Sequence, residues 1–233
     1  MIPIRDTIRS YNFPVINWLI IILNSLVFLY QLTLPPTALQ SFIGTFGMVP
    51  SRINLAHPAS LVTLFTNMFL HGGWFHIISN MWVLYIFGDN VEDRMGSGRY
   101  LVFYLLGGLA ANLLQLFFAQ GSSVPTIGAS GAIAGVLGGY FLLFPRSRVI
   151  TLILLFIFPW FVEIPAVIFL GFWFVSQLFS GLTSLGAVSG AQMGGIAWWA
   201  HVGGFVFGLL LVRVFSRRPR AYNRWYGDEY WPW

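Results

Sequence analysis

Few side chains in this 233-residue chain could carry chemistry, and five stand inside or beside long apolar runs: His71, His76, Asn80, Ser130 and His201. A polar group inside a membrane span is costly, so each is a functional suspect. A serine and a histidine suit nucleophilic catalysis when the imidazole can take the hydroxyl proton. His76 and Asn80 are four residues apart and share one helix face, from which both could donate hydrogen bonds to a developing oxyanion. Each residue also has a plain structural reading. Ser130 opening a helix fits an N-cap; His76 and Asn80 fit interhelical hydrogen bonding; His71 fits a pin for the loop before the helix; His57 in the outer loop fits no role. No carboxylate or thiolate stands close enough to complete a metal ligand set with these histidines. The chain has no cysteine, and neither metal nor cofactor is expected. Asp89, Glu92, Asp93 and Glu163 are placed away from His201 along their segments, so a Ser–His dyad is expected, with the imidazole held by packing and no carboxylate orienting it.

The elements that must position these groups follow from composition. The chain is 57% hydrophobic and 8% charged, with a mean hydropathy of +0.76. Soluble domains carry about 25% charged residues, so the main solvent is lipid. The net charge of +5 is no nucleic-acid footprint, because the arginines sit at the ends of apolar runs. Six spans are expected, at residues 15–32, 74–87, 100–119, 130–144, 164–179 and 197–215. Arg5 and Arg9, Arg94 and Arg99, Arg146 and Arg148, and Arg213 onward fall in alternate connections, which places both termini in the cytoplasm. The first run is long enough to span and shows no cleavage pattern after it. The predicted architecture is all-α: a six-helix polytopic membrane domain over residues 1–216, then a basic, aromatic cytoplasmic tail over 217–233. Residues 33–73 read as an outer connection lying partly in the interface, and 180–195 as a flexible outer loop. Pro159, Glu163 and Pro165 break the stretch 149–178, so 149–158 reads as an interfacial segment.

Depth then links two of the suspects. Ser130 stands about fifteen residues before Arg146, and His201 about twelve before Arg213 or sixteen before Arg217. At about 1.5 Å per residue each lies roughly 20 Å from the basic surface, inside a hydrocarbon core of about 30 Å. Gly131, Gly135 and Gly139 recur at every fourth residue on one helix, and Gly204 and Gly208 on the other. Such spacing lets membrane helices cross backbone to backbone.

Three stretches together resemble the rhomboid family of intramembrane serine proteases. One is His71-Gly72-Gly73-Trp74-Phe75-His76-Ile77-Ile78-Ser79-Asn80-Met81, running on to Glu92 and Gly96. The others are Gly128-Ala129-Ser130-Gly131-Ala132 and Ala200-His201-Val202-Gly203-Gly204-Phe205, followed by Gly208. The resemblance implies that Ser130 is the nucleophile and His201 the general base, then acid. It implies an oxyanion hole of His76, Asn80 and the Ser130 backbone N–H. It further implies membrane-spanning protein substrates, single-span or multi-span, reaching the site laterally between the second and fifth spans, with residues 180–195 as a cap. Two departures stand out. Ala134 occupies the position where family members often carry an aromatic residue against the histidine, a role left to Trp198 or Trp199. The outer loop offers Ser51-Arg52 in place of a Trp-Arg pair. A non-catalytic relative that binds or chaperones membrane helices is the alternative, and a transporter the third possibility. A bacterial-type cell membrane is the expected location.

Overall fold

The computed structural model describes residues 1–155, 158–185 and 196–217. Eight α-helices occur among them: α1 (Val15–Thr33), α2 (Pro36–Phe46), α3 (Pro58–Thr66), α4 (Trp74–Met95), α5 (Ser97–Phe118), α6 (Ser130–Leu143), α7 (Ala166–Leu185) and α8 (Trp198–Phe215). Three strands complete the fold: β1 (Ile2–Asp6), β2 (Arg148–Leu155) and β3 (Phe158–Pro165). Each segment expected to span contains a helix. By length and composition α1, α5, α7 and α8 can each cross a membrane, and α3 with α4 forms a pair bent by 81° that can make a fifth crossing. α6 has 14 residues and is about 21 Å long.

Polarity is arranged for lipid. The surfaces of α1, α7 and α8 turn outward Ile22, Leu26 and Leu29, then Phe172, Val175 and Phe179, then Leu210 and Val214. The amides lie inside: Asn17, Asn24, Gln31, Asn67 and Asn112 are buried. The NH2 group of each of the five donates a hydrogen bond, since an unsatisfied polar group in hydrocarbon costs several kcal/mol. Asn67 and Asn112 exchange two side-chain hydrogen bonds of 2.9 Å. The Asn112 amide also donates to the Leu64 carbonyl at 2.7 Å.

α6 is the central helix. Every residue from Gly131 to Tyr140 is buried, and α6 packs on α4, α5, α7 and α8. Its contact with α8 is a backbone crossing. A Cβ on Gly204 would run into the Gly131 carbonyl, and one on Gly208 into the Gly135 carbonyl.

Four expectations need correction. α4 does not stop at Phe87 but continues to Met95, where Gly96 at φ +78° ends it. Glu92 and Asp93 therefore act from within a helix. The Glu92 carboxylate accepts the Ile16 and Asn17 backbone N–H groups at 3.1 and 2.8 Å. It thereby satisfies orphan donors at the start of α1 and complements its dipole. The fifth helix is shifted, beginning at Ala166 and running through residue 185, so the first part of the expected outer loop is helical. The rest of that loop, and the tail beyond Arg217, lie outside the described residues.

The fourth correction concerns fold class. The stretch read as an interfacial segment of an all-α protein is β2, paired antiparallel with β3 and with β1 from the N-terminus, in the order β1-β2-β3. Its β-branched, apolar sequence suits a strand, Pro159 and Pro165 bar a continuous helix, and the partner strand lies more than 140 residues away in sequence. Fold class is thus mostly helical with one small sheet.

Candidate active site

Ser130 is the first residue of α6, one position past the N-cap residue Ala129, and makes no capping hydrogen bond. The chain before it is tied down at two points. Met48 and Thr126 exchange backbone hydrogen bonds of 3.1 and 2.7 Å, and the Gly128 N–H donates to the Asn67 carbonyl at 2.9 Å. The N–H groups of a first helical turn have no intrahelical acceptor, so Ser130 stands at the positive end of the α6 dipole.

The glycine crossing of α6 and α8 brings His201 to this point. His201 Nε2 lies 2.8 Å from Ser130 Oγ. The other ring nitrogen, Nδ1, lies 2.7 Å from Gln177 Oε1 on α7, and the Gln177 amide in turn donates to Ser176 Oγ at 3.0 Å. An amide oxygen only accepts, so Nδ1 carries the proton in the neutral ring. The Nε2 lone pair is left facing the serine hydroxyl. Ser130 and His201 are both partly open, not sealed in the core.

His76 approaches from the first turn of α4. Its Nδ1 accepts the Gly72 N–H at 3.3 Å, which leaves Nε2 as the protonated nitrogen of the neutral ring. Gly128 has φ +127°, and a Cβ there would stand 2.7 Å from His76 Nε2 and 3.7 Å from Ser130 Oγ. The missing side chain is therefore the space between donor and nucleophile, and only glycine leaves it empty at that backbone angle. One turn along α4, Asn80 Nδ2 is buried with no hydrogen-bond partner among the described residues. A buried donor left unpaired costs about 1–3 kcal/mol, so Asn80 is poised for an acceptor that those residues do not supply.

Of the remaining histidines, His71 packs its ring edge-on against His76 at 5.0 Å between centroids. His71 is clamped through its main chain, donating to Gln31 Oε1 and accepting from the Gln31 amide, each at 3.1 Å, which agrees with a loop pin. His57 is exposed on the loop before α3. Among the described residues no group of three or more His, Cys, Asp or Glu side chains could hold a metal.

The chemistry available is acyl transfer: a nucleophile bonded to a base, the base oriented by a third group, and donors grouped at a helix N-terminus. A family model of the rhomboid domain matches residues 58–218, which spans α3 to the end of α8 and includes each of these groups. The chain belongs to the rhomboid family. Relatives include the mitochondrial Rhomboid protein 1 of Saccharomyces cerevisiae, 28% identical over 72% of this chain and 48% of that protein. The mitochondrial presenilin-associated rhomboid-like protein of Mus musculus is 29% identical over 83% of this chain and 46% of its own length. The chloroplastic Rhomboid-like protein 11 of Arabidopsis thaliana is 29% identical over 67% and 53%. The chain spans about half the length of these curated relatives. Their names place them in organelles, so the expectation of a bacterial-type cell membrane is not borne out. A multi-pass membrane protein is.

Two features of this rhomboid site were not foreseen from sequence. Gln177 was passed over, although it is a lone amide in an apolar span, about eleven residues from the start of α7. That count gives a depth of roughly 17 Å, close to that of Ser130, and was the available signal. The imidazole is thus held by a hydrogen bond as well as by packing. The aromatic support comes from Trp173, whose ring centroid is 5.8 Å from that of His201, and from Trp198 at 6.2 Å edge-on. Trp199 instead stacks on Phe118 at 3.7 Å. No sequence signal marked Trp173.

Proposed function

We propose that this chain is an intramembrane serine endopeptidase that hydrolyses peptide bonds in or near the membrane-spanning segments of other proteins. The observation that carries the reading is the 2.8 Å contact between Ser130 Oγ and His201 Nε2, with Nδ1 already committed to Gln177. The hydroxyl attacks the scissile carbonyl carbon and passes its proton to Nε2. The carbonyl oxygen becomes an oxyanion and accepts hydrogen bonds from His76 Nε2, Asn80 Nδ2 and the Ser130 backbone N–H. Preorganised donors of this kind are each worth a few kcal/mol. The imidazolium then protonates the leaving amine. A water, deprotonated by the same Nε2, releases the acyl group and restores the serine.

Water has a source nearby. A cavity of about 530 Å³ is lined by Gln115, Ser122, Ser123, Thr126, Ser184 and Trp198 among others, and Trp198 borders His201. Six crossings, with α4 and α6 completing the set and both ends of the membrane domain on the arginine-bearing cytoplasmic side, fit this reading. The substrate segment approaches laterally between α4 and α7.

The test is cleavage of a membrane-spanning substrate by purified protein in liposomes. Ser130→Ala and His201→Ala are each expected to abolish it while leaving unfolding unchanged. Cleavage that persists in either variant overturns the assignment.

A further inference from the structure

The β1-β2-β3 sheet lies apart from the site, and its position is fixed by two hydrogen bonds to α4. The Trp82 indole donates to the Pro3 carbonyl at 2.6 Å, and the Asn90 amide donates to Asp6 Oδ2 at 2.9 Å. Trp82 and Asn90 are about 12 Å apart along a helix axis, and Pro3 and Asp6 about 10 Å apart along a strand. β1 therefore runs alongside the spanning helix rather than across its end. The sheet rises beside α4 from the end of the bundle that carries Arg94, Arg146 and Arg213.

The β2-β3 hairpin changes character along its length. At its base Arg148 and Glu163 form an exposed ion pair at 3.4 Å. On the opposite face of the base Val149 and Thr151 are fully buried against the bundle. From Val149 to Val162 the sequence has no charged residue. In the outer half Leu154, Phe158, Trp160 and Phe161 are each at least 60% exposed. The register pairs Leu152 with Phe161 and Leu155 with Phe158. Side chains alternate along a strand, so Leu154 and Phe161 share one face while Phe158 and Trp160 share the other. Both faces of the outer half are apolar and uncovered.

An open sheet edge in lipid is costly in proportion to the backbone donors it leaves outward. The Ala166 N–H donates to the Ser147 carbonyl at 2.8 Å. By alternation of an antiparallel ladder, the outward-pointing nitrogens of β3 are those of residues 159, 161, 163 and 165. Two of the four are Pro159 and Pro165, which have no N–H to leave unpaired. Glu163 sits at the charged base, which leaves the Phe161 N–H as the single outward donor of the outer half. At the other edge of the sheet Pro3 also lacks a donor, and its carbonyl takes the Trp82 indole.

We propose that the outer half of the β2-β3 hairpin is a lipid-binding element, inserted on both faces among the acyl chains of the leaflet nearest the arginine-bearing end, with the Arg148–Glu163 pair at the water boundary. A protein partner docking on a sheet covers one face and leaves the other, whereas acyl chains surround both. The apolar surface is also continuous with the lipid-facing side of α7, which follows β3 directly. Trp160 suits the boundary depth, where aromatic residues concentrate. The proposal needs only a bilayer, not the catalytic reading.

The chain has no cysteine, so single-cysteine spin labels report one position each. Full-length Leu154→Cys, Phe161→Cys and Phe158→Cys, labelled with a nitroxide and placed in phosphatidylcholine liposomes, are compared with Arg146→Cys. At the three hairpin positions collisions with oxygen are expected to exceed those with a water-soluble nickel chelate, and the ratio should invert at Arg146→Cys. Nickel access at the hairpin equal to that at Arg146→Cys overturns the proposal. So does shielding of one face from both reagents, which would mean a protein partner. Brominated lipids supply a label-free check: the difference in quenching between the unlabelled protein and Trp160→Phe should show Trp160 quenched, and its absence is equally fatal.

Discussion

The α6–α8 seam and helix α7 both hold the imidazole of His201, but in opposite ways. Along the seam backbone meets backbone: Gly204 and Gly208 leave no room for a single added carbon, which would run into the Gly131 and Gly135 carbonyls, and the helices cannot slide without collision. α7 instead touches the bundle through a narrow stripe, with Ala166, Leu170, Gln177 and Gly181 buried and most of its remaining surface apolar and outward. In the proposed mechanism the atoms that exchange a proton belong to the rigid pair, and the group that only orients the ring sits on the loosely held helix. On that proposal α7 is the element that shifts to admit a substrate while the Ser130–His201 distance is kept, at the loss of one hydrogen bond.

The severest way to break this contrast is Gly204→Val. Its added carbons meet the Gly131 carbonyl, and a loss of about 3 kcal/mol, the top of the usual overpacking range, is expected in unfolding from mild detergent. The same change at Gly181, where an added carbon would meet only the Trp199 ring at 3.2 Å, should cost much less. Equal losses at the two positions would remove the distinction between seam and α7.

Next in size are the donors on α4. His76→Ala and Asn80→Ala are each expected to lower kcat about 100-fold with unfolding unchanged, read in the liposome cleavage assay. An Asn80→Ala enzyme of full activity would leave the unpartnered amide without a purpose.

Gln177→Leu should lower kcat about tenfold, the size of one hydrogen bond, with KM unchanged and stability held. A change in KM alone would mean that Gln177 contacts substrate and does not orient His201.

The smallest effect concerns the sheet. Asp6 accepts from the Tyr140 hydroxyl and the Asn90 amide, and burial foremost pushes its carboxyl up from 3.8 to about 7, with Asp89 adding to the rise. Below about pH 3 the carboxyl is protonated in both folded and unfolded chains and has no effect on the balance. As pH rises toward 7 the unfolded chain ionises first, so stability falls by at most about 1.4 kcal/mol per pH unit, then levels. Asp6→Asn should flatten that slope in unfolding measured from pH 4 to 8, with cleavage little changed.

Much of the site was legible before the structure because each signal was local. Ser130 and His201 could be matched by counting residues to the flanking arginines, and His76 and Asn80 by helical spacing. The glycine stripe announced the crossing that joins them. What escaped depends on distant partners. Gln177 looked like one amide among many apolar residues until α7 was set against α8. Trp173 carries no mark that separates it from nine other tryptophans. The sheet could not be read because β1 and β2 lie more than 140 residues apart in sequence, and an apolar, β-branched run beside prolines fits an interfacial segment as well as a strand.

Reaction of the purified protein with a fluorophosphonate, followed by peptide mass mapping, tests the central pairing most directly. The expected result is one adduct, on Ser130, that disappears in His201→Ala and survives in Arg52→Ala. A serine left unmodified, or one modified equally well without the imidazole, would contradict it.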